Sequence, residues 1–135
     1  MLKGVATVSL FAEDVDQAKA WYTELLGVEA YFHRSGPDGR TAYVEFRIGD
    51  RQTELGIIDR RYAPRPAAPE AGGAILYWHV DDLDATLDKL RELGAKEYEA
   101  RTERGPGFVT ASVTDPFGNV IGVMHNQHYL DVLGG

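Results

Sequence analysis

One pattern occurs twice in this chain, and that repetition limits its fold more than any single residue does. The stretch Ala6–Gly27, ATVSLFAEDVDQAKAWYTELLG, passes from a strand-like run through an acidic turn into a helical period and ends at glycine. Ile75–Ala95, ILYWHVDDLDATLDKLRELGA, does the same. Setting Asp14-Val15-Asp16 on Asp82-Leu83-Asp84 pairs Thr7 with Ile75, Ser9 with Tyr77 and Phe11 with His79. Such self-similarity means that one supersecondary unit is used twice, and that neither copy can bury its apolar face alone.

The second copy shows the helix most clearly. Leu83, Leu87 and Leu90 recur at i, i+4 and i+7, on one helix face. Asp81 or Asp82 can cap the first turn, where free N–H groups and the positive dipole end favour a short acid. Lys89 and Arg91 suit the negative end, and Gly94 suits the left-handed stop. In the first copy Val15, Ala18, Trp21, Tyr22 and Leu25 form the corresponding face. Strand side chains alternate, so Val8, Leu10 and Ala12 face the first helix and Thr7, Ser9 and Phe11 face away.

Three further strands follow each helix. In the first half they are VEAYFHR after Gly27, Thr41–Ile48 and Gln52–Ile58, separated by the turn residues Gly36-Pro37-Asp38-Gly39 and Gly49-Asp50. In the second half they are Lys96–Glu103, Phe108–Thr114 and Val120–His125, the last two joined by Asp115-Pro116-Phe117-Gly118-Asn119. Each half is therefore β-α-β-β-β. The expected fold is α+β: paired modules making a curved, cupped mixed sheet, helices outside. Residues 1–135 read as a single domain, with half-modules 1–58 and 74–126, a Pro/Gly/Ala-rich connector 59–73 and a tail 127–135. Trp21, Tyr22 and Trp78 read as core between helix and sheet.

Composition removes several function classes. There is no cysteine, so no disulfide framework, thiolate nucleophile or zinc–sulfur site is available. The formal net charge is −7, and no basic patch suggests nucleic acid. No apolar run reaches membrane-spanning length, and MLKGVATVSLF lacks the apolar core of a signal peptide. The expectation is a cytoplasmic protein with neither a nucleic-acid nor a membrane partner.

The ordered motifs D-V-D-Q-A…W-Y…L-L-G, V-D-D-L-D-A…L-R-E-L-G-A and D-P-F-G-N-V-I, within paired β-α-β-β-β halves, resemble the vicinal oxygen chelate superfamily, the glyoxalase / bleomycin-resistance / dioxygenase proteins. The resemblance implies a cupped sheet around each site and a homodimer or paired-module monomer. It also implies one divalent metal, held by four side chains from the first and fourth strands of each half. Carried over by position, those fall on Thr7, Glu54, Ile75 and Gly122. Only Glu54 is a strong ligand, so the expectation is no metal and no cofactor. A relocated metal site on Glu54, His79 and Glu45 is a minor alternative. His33, His125 and His128 lack spaced partners.

The residues expected to line the cup are Thr7, Ser9, Phe11, Tyr43, Glu54, Ile75, Tyr77, His79, Gly122 and Met124. An aromatic, hydroxyl-rich hollow with one carboxylate and one imidazole suits an organic ligand with a flat or apolar body and a polar or cationic handle. Three functions are compatible with it. The first is a metal-free small-molecule-binding protein, as in the bleomycin-resistance branch. The second is a metal-free isomerase or lyase with Glu54 or His79 as general base. A metal-dependent glyoxalase or dioxygenase, the third, is disfavoured by the missing ligands. The bland alternative is that the large side chains fill the hollow as a second core.

Overall fold

The computed structural model describes residues 1, 3–63 and 74–134. The chain divides into two compact units, Met1–Ala67 and Ala68–Gly135. The first contains β1 (Thr7–Ala12), α1 (Val15–Leu26), β2 (Phe32–Ser35), β3 (Thr41–Ile48) and β4 (Thr53–Asp59). The second contains β5 (Tyr77–His79), α2 (Leu83–Glu92), β6 (Lys96–Gly105), β7 (Phe108–Thr114), β8 (Val120–Asn126) and α3 (Gln127–Gly134). The repeated β-α-β-β-β order is therefore present, in an α+β fold with two four-stranded mixed sheets. Their strand orders are β1-β4-β3-β2 and β5-β8-β7-β6. In each, the strand before the helix runs parallel to the last strand, and the other neighbours run antiparallel.

The helices begin and end as their sequences require. Asp14 accepts the Gln17 N–H at 3.0 Å and Asp82 accepts the Ala85 N–H at 2.9 Å, which satisfies donors that have no partner inside the helix. Gly27 ends α1 with φ 69°, and Gly94 follows α2 with φ 90°, a conformation that glycine adopts without strain.

Each unit has its own apolar layer between helix and sheet. In the first, Val15, Ala18 and Tyr22 of α1 are buried, as are Val8, Val44, Phe46, Leu55 and Ile57 from the strands. In the second, Leu83, Leu87 and Leu90 of α2 are buried, as are Ala111, Val113, Ile121 and Val123. Tyr22 is core as expected, but Trp21 and Trp78 are only half-buried. Indoles are too large to disappear completely in so thin a layer.

Several boundaries differ from the sequence reading. The second strand starts at Phe32 rather than Val28, because residues 28–31 carry the chain back from the end of α1. The expected connector starts later: Asp59 is the last residue of β4, and Arg60–Tyr62 form one 3-10 turn that Asp59 caps through the Arg61 N–H at 2.9 Å. The remainder, 64–73, lies outside the described residues. The tail is a two-turn helix, capped by Asn126, whose Oδ1 accepts the Tyr129 N–H at 3.0 Å.

Candidate functional site

The first unit's sheet presents a chemically rich face away from α1. Strand alternation puts Thr7, Ser9 and Phe11 there from β1, and Tyr43, Glu45 and Arg47 from β3. From β4 come Glu54, Gly56 and Ile58. The register arranges them in rows: Ser9–Gly56–Glu45–Phe32, with Thr7–Glu54–Arg47 on one side and Phe11–Ile58–Tyr43–Arg34 on the other. The expected set Thr7, Ser9, Phe11, Tyr43 and Glu54 thus shares one surface, and the geometry adds Glu45, Gly56 and Phe32 to it.

Two carboxylates dominate this surface. Glu54 accepts a hydrogen bond from the Thr7 hydroxyl at 2.8 Å. Glu45 accepts one from the Tyr43 hydroxyl. Burial and then the negative charge of Glu54 push the Glu45 carboxyl above its usual range, against a smaller opposing pull from Arg47. The same two causes raise the Tyr43 phenol. Arg47 stands opposite Glu54 in the ladder. Its guanidinium lies over the Tyr31 ring, 4.5 Å from the centroid, and it forms no ion pair among the described residues. The charge of Glu54 thus bears on Glu45 more strongly than Arg47 offsets it, and neither acid is in an ion pair among the described residues.

Gly56 shapes the surface. A Cβ there would stand 2.5 Å from the Tyr43 hydroxyl oxygen and 2.7 Å from a ring carbon. Only glycine lets the Tyr43 ring lie across β4 and reach Glu45. Phe32 packs edge-on against Tyr43 at 6.1 Å, and 43% of it remains exposed. Flat, accessible aromatic surface thus adjoins the acid pair.

The second unit has a corresponding face away from α2. Tyr77, Gly122 and Ser112 form its middle row, and His79, Met124 and Thr110 the next. Gly122 again lies under a tyrosine: a Cβ would be 2.7 Å from the Tyr77 ring. In register Gly122 matches Gly56, since Ser9 and Tyr77, which the repeat sets at the same place, pair with Gly56 and Gly122 respectively. Glu54 instead pairs with Thr7. The two fourth-strand positions carried over from the family, Glu54 and Gly122, are therefore not equivalent places in the two sheets. His79 is fixed at one nitrogen: its Nδ1 accepts the Asn126 N–H at 3.1 Å. In the neutral ring the hydrogen is then on Nε2, which makes that atom a donor rather than a base.

The residues present do not fit the family's divalent metal. Thr7 spends its hydroxyl hydrogen on Glu54, Ile75 offers no donor atom, and the Tyr77 ring fills the space where a side chain at position 122 would begin. Stable sites need several imidazoles or carboxylates converging. No group of three His, Cys, Asp or Glu residues suited to a metal occurs among the described residues.

Residues 4–123 match the Glyoxalase/Bleomycin resistance protein/Dioxygenase superfamily, and the chain belongs to that family. Its fold is similar to that of TnmS3, an antibiotic binding protein from Streptomyces sp. CB03234. That match has 28% identity and a TM-score of 0.66, over 90% of this chain and 94% of that one. It is also similar to a glyoxalase-related enzyme from Fulvimarina pelagi, at 16% identity and TM-score 0.71, over 93% and 90% of the two chains. A third similar structure is the fosfomycin resistance protein FosX from Listeria monocytogenes, at 13% identity and TM-score 0.70, over 93% and 92%. No curated protein matches the sequence.

Register explains what the sequence left out. Tyr43 and Glu45 were legible as one face of β3, but the partner of that face depends on strand pairing. Glycine at position 56 was the one available signal, because an interior strand glycine marks a close approach.

Proposed function

We propose that this protein is a metal-free small-molecule-binding member of its superfamily, taking an organic cation with a flat body on the face built by Thr7, Tyr43, Glu45 and Glu54. The observation that carries this reading is the pair of carboxylates on one face, Glu54 raising the Glu45 carboxyl and neither acid in an ion pair among the described residues, framed by Tyr43 and Phe32. A bound ammonium or amidinium group relieves the repulsion between the acids, while the rings take the flat body through stacking and cation–π attraction. That the similar TnmS3 is an antibiotic binding protein is in keeping with a binding role. The family resemblance implies a homodimer or a paired-module monomer, of which we favour the homodimer, and a cysteine-free chain suits the cytoplasm.

The test is thermal unfolding of chelator-treated protein with proflavine, a flat cation, and with naphthoate, a flat anion. A ligand that binds only the native state raises its stability by mass action, about 2.7 kcal/mol at a hundredfold excess over Kd. Proflavine should raise the midpoint, naphthoate should not, and Glu54→Gln should shrink the proflavine shift. Equal shifts with both compounds, or a shift indifferent to Glu54→Gln, overturn the reading.

A further inference from the structure

The geometry around His79 points to a second ligand site, in the second unit, over which α3 is folded as a displaceable cover. We propose that this site takes a flat, uncharged ring carrying a carbonyl oxygen at its edge. The His79 side chain is 7% exposed. Its Nδ1 is used by the Asn126 N–H, so Nε2 carries the hydrogen, and Nε2 is buried with no hydrogen-bond partner. The nearest carboxylate oxygen, Asp81 Oδ1, is 3.8 Å away, too far for a hydrogen bond. Asp81 itself stands fully in water. A buried donor left without an acceptor is unfavourable, and an acceptor supplied by a ligand cures it.

The face of the imidazole defines the rest of the ligand. The Tyr129 ring stacks on it at 5.1 Å with an interplanar angle of 25°, and the His125 ring is tilted against it at 5.5 Å. Tyr129 therefore occupies the position of a flat ring without offering an acceptor to Nε2. Its helix is lightly held. α3 has eight residues and none of them is buried. Besides the Tyr129 stack, the Asn126 cap and the Gln127 N–H donated to the Gly107 carbonyl at 3.0 Å hold it. A helix this short has little stability of its own, so an incoming ring can replace Tyr129. Charge favours a neutral acceptor: Nε2–H calls for an acceptor atom, and the Asp81 carboxylate, 3.8 Å away, disfavours an anionic one.

The experiment measures coumarin, a flat neutral ring with a carbonyl oxygen, on the full chain, on Tyr129→Ala and on Tyr129→Ala/His79→Phe, with naphthalene as the ring lacking an acceptor. Removing the competing ring should tighten coumarin about tenfold, because the open state no longer has to be populated against Tyr129. His79→Phe should abolish that gain for coumarin and leave naphthalene unchanged. Equal coumarin affinity in the full chain and Tyr129→Ala, or a gain that survives His79→Phe, overturns the proposal. A second measurement uses the unaltered chain. Saturating coumarin should speed amide hydrogen exchange across Gln127–Gly134 and leave β8 protected. Unchanged or slower exchange across α3 contradicts the proposal even where the variants fail to fold.

Discussion

Replacing Gly56 with alanine tests whether Tyr43 is held across β4 by the absence of a single carbon. Gly56 does not have a positive φ, so alanine meets no backbone strain there. In an unobstructed strand the change would stabilise by about 0.5–1 kcal/mol through reduced freedom of the unfolded chain. Here the new Cβ would sit 2.5, 2.7 and 2.9 Å from three Tyr43 atoms. The ring has to retreat by several tenths of an ångström, and its bond to Glu45 is lost with it. Overpacking of this kind costs about 1–3 kcal/mol, and the hydrogen bond adds about 1 kcal/mol. The steric and hydrogen-bond losses outweigh the gain, leaving Gly56→Ala about 1–3 kcal/mol less stable. Urea unfolding of Gly56→Ala, Tyr43→Ala and the double variant measures the effect. Once the ring is absent the alanine should be harmless, so the double variant should be more stable than additivity predicts by about 1 kcal/mol or more. Additive effects would refute the account of Gly56, and with it the placement of Tyr43.

Other predictions follow from the same geometry. Glu45→Gln should stabilise the protein at about pH 7. The raised folded pKa means that native stability falls as pH rises through and above the ordinary value of 4.5, and the amide removes that loss, so the difference should vanish at about pH 3.5. Thermal midpoints at the two pH values check this; a benefit equal at both contradicts it. Asp59 behaves oppositely. The Arg61 side chain holds its carboxyl below the usual range, so its contribution is present above pH 3.8 and lost as pH falls through the lowered pKa. Asp59→Asn should therefore destabilise at neutral pH and lose its effect in acid, as measured by urea titrations across that range. Asp82→Ala should cost about 1 kcal/mol through loss of the α2 cap. Phe46→Ala should cost about 3–5 kcal/mol, since Phe46 is 0% exposed and leaves a cavity; both are read from urea unfolding.

Local rules carried the sequence far where periodicity and punctuation agree. β3 and β7 have the expected bounds, and the caps at Asp14 and Asp82 sit where an acid precedes an apolar period. The C-terminal helix escaped because eight residues give too little period to mark a helix in a tail. The split between candidate faces was legible, because alternation fixes which residues share a side of a strand. What lies beside them was not. Glu45 joins Glu54 only through the antiparallel register of β3 and β4, and Arg47 is diverted to Tyr31 by a contact just outside β2. His79 was singled out as a possible base. Its tautomer depends on the Asn126 N–H, 47 residues away in the chain, which no local pattern reveals.

The most direct test of the acidic face as a cation site is calorimetric titration of proflavine into chelator-treated protein and into the Glu45→Gln/Glu54→Gln variant, at low and high salt. The account predicts saturable binding to the unaltered chain that weakens with salt, and a loss of about tenfold or more in the variant, as expected when a desolvated charge pair is removed. Undiminished affinity in the variant, with its fold intact by circular dichroism, would contradict it.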